Sequence, residues 1–252
     1  MGGPMLDALR DGGTDALGFD VVDKGLAHVT TNVMAFAPRL RTLFSVVRDA
    51  DQTDALLFDQ QRLVACAPHL ERIFICSTLS PRYVKALRTR VPSHVTLIDA
   101  PMSGAQIAAR NRTLSFMLGG TDADIADAIP LLALMGKHVH HMGAYGAGMQ
   151  AKVLNNLLAA SHTAMTRLVL DWADDAGLDQ TRLLNLIETA SGQNWLASGF
   201  ETIEFAKHGY AEDNSIGILA KDVAAARDAA PENADLALPN ALEHAIRALT
   251  PR

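Results

Sequence analysis

The chain is poor in the features that mark several large protein classes. It holds two cysteines in 252 residues, Cys66 and Cys76, too few for a disulfide framework. Cys76 ends the apolar run Ile73-Phe74-Ile75-Cys76 and reads as a reduced core residue. There is no long basic run, and the formal net charge is −6. That argues against nucleic acid or an anionic membrane surface as the main partner. It does not exclude a phosphate-bearing cofactor, which needs only local backbone N–H groups. No apolar run reaches the ~18 residues of a membrane span. Met1 leads into glycines and then an acidic residue, not into the basic and apolar segments of a signal peptide. A soluble, cytoplasmic protein is the expectation. His138, His140 and His141 cluster without cysteine or carboxylate companions at ligand spacing, so no metal site is expected. No Gly-x-Ser-x-Gly nucleophile motif is present.

What is present suits a packed core, with 49% of residues hydrophobic. The length allows one large domain or two of ordinary size. The first half alternates. A helix is expected from Pro4 to about Asp11, stopped by Gly12-Gly13. Strands are expected at Leu17–Val21, Thr42–Val47, Arg72–Cys76, Val95–Asp99, Leu114–Leu118 and His138–Met142. Helices fall between them at 51–64, 82–90 and 122–134. Such alternation implies a parallel sheet with helices on both faces. After Gly146 strand signals give way to helical runs at 149–176, 181–190, 195–208, 216–229 and 240–248. The expected architecture is an α/β Rossmann-like N-terminal domain, residues 1–144, and an all-α C-terminal domain, residues 145–252, joined by a long helix.

Five short segments carry candidate chemistry, and each has a plain structural reading beside the functional one. Gly2, Gly3, Pro4 and Met5 open a helix, and Asp20 ends the next strand. This is the order of a pyrophosphate-holding turn and a ribose-binding acid, or of a loose chain start and a turn cap. Thr78 follows a buried strand, at the sheet edge where ligands sit, while Ser80 before Pro81 is a helix N-cap. Ser103 and Gly104 offer a hydroxyl and amides to a carboxylate, or form an ordinary turn. Lys152 and Asn156 stand four apart on the long helix and share a face. A desolvated lysine there serves as an acid/base; a solvated one is the alternative. Lys221-Asp222 sits in an apolar helix as a charged pair.

Taken together, these segments resemble the beta-hydroxyacid dehydrogenase family, which includes 3-hydroxyisobutyrate dehydrogenase and tartronate semialdehyde reductase. Met1-Gly-Gly-Pro-Met5 looks like the tail of its Gly-x-Gly-x-Met-Gly-x-Pro-Met turn. Ser77-Thr78-Leu-Ser-Pro81 matches Ser-Thr-x-Ser-Pro, and Asp99-Ala-Pro-Met-Ser-Gly104 matches Asp-Ala-Pro-Val-Ser-Gly. Gly143 to Asn156 fits Gly-x-x-Gly-x-Gly-x-x-x-Lys-x-x-x-Asn at every fixed position. Lys221-Asp222-Val223 matches Lys-Asp-Leu but for its last residue.

The resemblance implies roles. Lys152 would be the general acid/base, with Asn156 beside it. Ser103, Gly104, Asn155 and Trp195 would face a small carboxylic-acid substrate. Gly2, Gly3, Pro4, Met5, Asp20, Thr78 and Lys221 would hold the dinucleotide. Asp20 with no arginine just after it favours NAD over NADP. The helical domain would complete the substrate cleft and build a homodimer or a higher homo-oligomer. Asn155, where 6-phosphogluconate dehydrogenases carry histidine, disfavours a phosphorylated sugar acid. Lys152 argues against imine reductases.

The chain also departs from the family pattern. The family's first strand and first two turn glycines do not precede Met1, so a truncated start is expected. The stretch from Asp20 to Thr42 is short for a full crossover helix. Ala105 stands where a second glycine is common, and Asn214 where many members place an aromatic. The alternative is a dimeric relative with impaired or no catalysis.

Overall fold

A computed structural model describes all residues, 1–252. The chain divides into two compact units, Met1–Lys152 and Val153–Arg252. The first opens with helix α1 (Gly2–Asp11), which ends where Gly12 caps it and Gly13 adopts φ +83°. Strands β1 (Gly18–Phe19) and β2 (Val29–Thr30) follow, then α2 (Val33–Phe36). Next come β3 (Thr42–Ser45), α3 (Ala50–Asp54), α4 (Leu63–Cys66), β4 (Arg72–Ile75), α5 (Pro81–Arg90) and β5 (Thr96–Asp99). The unit continues with β6 (Met102–Ser103), α6 (Ala105–Arg110), β7 (Leu114–Gly119), α7 (Asp122–Leu132) and β8 (Gly136–Gly143).

The strands form two sheets. β1 and β2 pair with each other in parallel and stand apart from the larger sheet. In that larger sheet β3, β4 and β5 are parallel and in register, Thr42 against Arg72 and Arg72 against Thr96. β3 lies at one end of it. Residue burial explains why these strands read as unbroken apolar runs. Ile73 and Ile75 enter a core with Leu57, Leu63, Val84 and Leu87. Phe74 and Cys76 enter a second core on the opposite face with Ile98, Phe116, Leu118 and Leu132. A strand buried on both faces has no polar alternation.

The expected parallel sheet is present, with antiparallel pairings added at β6 and β7. β5 and β6 follow one another along one edge of β7, both antiparallel to it, and β8 takes the other edge in parallel. Only residues 104–113 separate β6 from β7, too short a span for a parallel crossover. Two helix expectations also change. The run 51–64 breaks into α3, a wider turn at Ala55–Asp59 and α4, because Arg62 adopts a left-handed φ of +52°.

The second unit takes up α8 (Ala147–Asp175), which begins in the first, followed by α9 (Gln180–Thr189), α10 (Trp195–Ser198), α11 (Ser215–Asp228) and α12 (Ala237–Arg247). Its main core joins Ala160 and Ala164 of α8 with Ile216, Leu219, Val223, Leu242 and Ile246. The helix expected over 195–208 stops at Ser198. Gly199 caps it, and the chain beyond is held by other means. The buried guanidinium of Arg167 donates through Nη1 to the carbonyls of Ala206 and His208, both at 2.9 Å. Its Nη2 donates to the carbonyl of Thr250 at 2.5 Å.

Replacing Arg167→Met should therefore destabilise the protein by about 3 kcal/mol, because three carbonyls lose a charged donor. Urea denaturation measures this. A loss below about 1 kcal/mol would mean that the loop carbonyls find other partners.

Candidate active site

The site begins at the carboxyl end of β5. Asp99 is fully buried, and its carboxylate accepts the backbone N–H groups of Gly146 and Met149, each at 2.6 Å. These groups head α8, so the carboxylate sits against the positive end of a helix. Burial pushes the Asp99 carboxyl above its ordinary value, and the amides of Gly146, Met149 and Gly148 pull against that rise. Two glycines make the approach possible. A Cβ at Gly119 would strike the Asp99 carboxylate. A Cβ at Gly148 would strike the Met117 carbonyl and lie 2.8 Å from the Gly119 nitrogen. Gly148, one of the fixed glycines of the sequence motif, is thus a packing requirement: the first turn of α8 lies directly on the β7 backbone.

Anchored there, α8 delivers Lys152 to β6. The lysine is buried, and Nζ donates to Ser103 Oγ at 3.0 Å. Gly104, next to Ser103, has φ +130°, and Ala105 has φ +54°. The alanine that replaces a family glycine thus occupies the left-handed region where glycine is favoured.

A second polar group lies within the second unit. Asn156 donates from Nδ2 to Asp222 Oδ2 at 2.5 Å and accepts from Asn155 Nδ2 at 3.2 Å. Lys221 Nζ lies 2.8 Å from Asp222 Oδ1. Asp222 is 2% exposed. Sequence reading treated it only as half of a charged dipeptide. Its signal was a lone carboxylate on the helix face that also carries Ile216, Leu219 and Val223. Trp195 starts α10 and tilts against Phe205 at 6.1 Å. Asn214 is the N-cap of α11: it accepts from the Gly217 N–H at 3.0 Å and donates to the Gly209 carbonyl. That accounts for an amide where the family often has an aromatic.

The dinucleotide candidates other than Lys221 lie on the first unit. Gly2, Gly3, Pro4 and Met5 form the first turn of α1, which has no side-chain cap on its N–H groups. Nothing lies within 4 Å of the place a Gly3 Cβ would take. The Met1 ammonium is held below its ordinary value, first by burial and then by the charges of Lys24 and Arg110. A helix N-terminus without a side-chain cap fits a phosphate. Asp20 follows β1; its Oδ1 accepts the Val22 N–H at 3.0 Å and its Oδ2 lies 3.0 Å from Lys24 Nζ. Thr78 is half-buried just beyond β4, and Ser80 caps α5 as expected.

Two family models match the chain end to end. Residues 1–143 match the NAD binding domain of 6-phosphogluconate dehydrogenase. Residues 146–250 match the NAD-binding model of NADP-dependent 3-hydroxyisobutyrate dehydrogenase. The chain belongs to the beta-hydroxyacid dehydrogenase family. This member is similar to the 3-hydroxyisobutyrate dehydrogenase of Pseudomonas aeruginosa, 29% identical over 100% of the chain and 85% of that protein. It is 32% identical to the mitochondrial 3-hydroxyisobutyrate dehydrogenase of Mus musculus over 68% of the chain, which spans about half, 53%, of that relative. Its fold is that of the Mycobacterium tuberculosis 3-hydroxyisobutyrate dehydrogenase solved with L-serine. The TM-score is 0.79 at 24% identity, covering 97% of this chain and 88% of that one. NAD is the cofactor to which both matching models point. No helix of this dehydrogenase-family chain is long and apolar enough to cross a membrane.

The anchoring of α8 gives a direct test. Asp99→Ala leaves two buried N–H groups without an acceptor and should cost about 3 kcal/mol in a urea titration. An unchanged midpoint would show that water or another side chain holds the head of α8.

Proposed function

We propose that the protein transfers a hydride between NAD(H) and a small beta-hydroxyacid or the corresponding semialdehyde, with Lys152 as general acid/base, in the cytoplasm. The observation that carries this reading is the buried Lys152 ammonium, aimed at Ser103 and fixed by the Asp99 anchor of its helix. In the oxidation direction a neutral Lys152 takes the proton of the substrate hydroxyl while the carbon gives up its hydride. In reduction the Lys152 ammonium returns the proton to the carbonyl oxygen. Bound NAD supplies the hydride acceptor or, reduced, the donor. Ser103 Oγ and the amides at Gly104 hold the substrate carboxylate. Asn156, one turn beyond Lys152 on α8, steadies the oxygen that gains or loses the proton. Asn155 and Trp195 complete the substrate side, and Thr78 and Lys221 line the cofactor. Asp222 acts through Asn156 and Lys221, fixing which way the amide faces.

In this reading residues 1–144 bind the dinucleotide, and residues 145–252 carry the substrate-side helices and the contact with a second copy. What supports a homodimer is an exposed apolar stripe on α8. Leu154, Leu158, Met165, Leu168 and Trp172 are all more than a third exposed and recur at seam spacing along one helix face.

Lys152→Ala should lower turnover about a hundredfold or more while leaving cofactor affinity largely intact. Stopped-flow hydride transfer and a separate NADH titration read the two effects; unchanged turnover would remove Lys152 from the role. For the dimer, light scattering on the purified protein should give twice the 27.0 kDa chain mass. Paired Leu158→Glu and Met165→Glu should return it to the monomer. A wild-type monomer at tens of micromolar would sink the assembly.

A further inference from the structure

A nicotinamide enzyme rejects NADP when a free carboxylate stands at the adenine ribose, where it accepts the 2′-hydroxyl and repels a 2′-phosphate. By the family resemblance Asp20 takes the matching place, but it is not free. One oxygen accepts the Val22 N–H, and the other is paired with Lys24 at 3.0 Å. The carboxylate and the ammonium cancel, so the repulsion that would enforce NAD is largely absent. The pair is half in solvent, with side-chain exposures of 56% and 34%. Such a solvent-exposed pair is weakly held, so it opens readily for a stronger partner.

Lys24 is also well placed. Its charge and that of Arg110 reach the nitrogen of Met1 at the head of α1. The turn presenting Lys24 is built rather than loose. Asp23 accepts the Gly25 N–H at 2.8 Å, and Gly25 takes φ +62°. Val21 and Val22 beside it are exposed and offer apolar surface to an adenine face. We propose that Lys24 makes this protein a dual-cofactor enzyme, exchanging Asp20 for the 2′-phosphate of NADP and leaving Asp20 to the ribose of NAD. The proposal rests on the dinucleotide reading above and adds to it a specificity-determining residue.

The test is equilibrium binding of NADH and NADPH to the full chain, followed by ligand fluorescence, for wild type, Lys24→Gln and Lys24→Arg. Circular dichroism checks that each variant folds. Wild-type dissociation constants should agree within about fivefold, since a neutralised carboxylate discriminates weakly. Lys24→Gln should weaken NADPH by about tenfold or more and NADH by less than about threefold, the loss of one charged contact to phosphate. Lys24→Arg should keep NADPH binding, because a guanidinium also holds phosphate. Wild-type preference for NADH beyond about fiftyfold, or equal losses for both ligands in Lys24→Gln, would overturn the proposal. Binding of neither ligand would overturn it together with the dinucleotide reading, whereas loss of NADPH alone leaves that reading in place.

Discussion

Everything near the candidate catalytic lysine depends on one buried carboxylate. Asp99 ends β5 with no exposure to water and receives two N–H groups from the head of α8. Burying a carboxylate is costly unless fixed donors replace the lost water. Here the donors are backbone amides at a helix N-terminus, which cannot swing away. The result is an α8 locked in rotation as well as in position. One residue of slippage would turn the helix by about 100° and carry Lys152 off Ser103. Gly119 and Gly148 are conditions of this contact, since any side chain at either would hold the helix off the sheet.

The second unit repeats the same physical solution with different groups. Asp222 is buried among apolar residues of α11 and is matched by the Asn156 amide and the Lys221 ammonium. Arg167 inverts the arrangement, a buried cation matched by three backbone carbonyls. A buried charge matched in this way adds little net stability, but its removal from one side is expensive. Such groups fix a single geometry. That suits a helix carrying a proton-transfer residue, where a displacement of 1 Å is felt in the rate.

Much of the fold was legible in the chain. The three parallel strands announced themselves because burial on both faces leaves an unbroken apolar run, and Ser80-Pro81 marked the start of α5 through ordinary capping chemistry. The antiparallel return of β7 was not legible, since strand direction depends on the length of the connection and not on the strand's own residues. The break between α3 and α4 was also hidden. Arg62 has no local reason to adopt a left-handed backbone, and only packing of Leu57 and Leu63 into one core imposes it. The helix expected beyond Ser198 ends where Gly199 caps it, and the chain that follows is held by Arg167, 39 positions before Ala206, a partner no local pattern announces.

By itself the sequence determined the kinds of elements, their order, and the motif that places Lys152 and Asn156 one turn apart on a helix. These are properties of neighbouring residues, governed by periodicity and capping. Tertiary structure decided what those side chains face. Ser103 and Lys152 are 49 positions apart, and Asn156 and Asp222 are 66 apart. No local rule pairs residues so distant, because the entropy of closing such loops is offset only by the packing of the whole unit. Asp20 and Lys24 mark the limit from the other side. They are close in sequence, yet only the turn fixed by Asp23 and Gly25 shows that the acid expected at the ribose already has a partner.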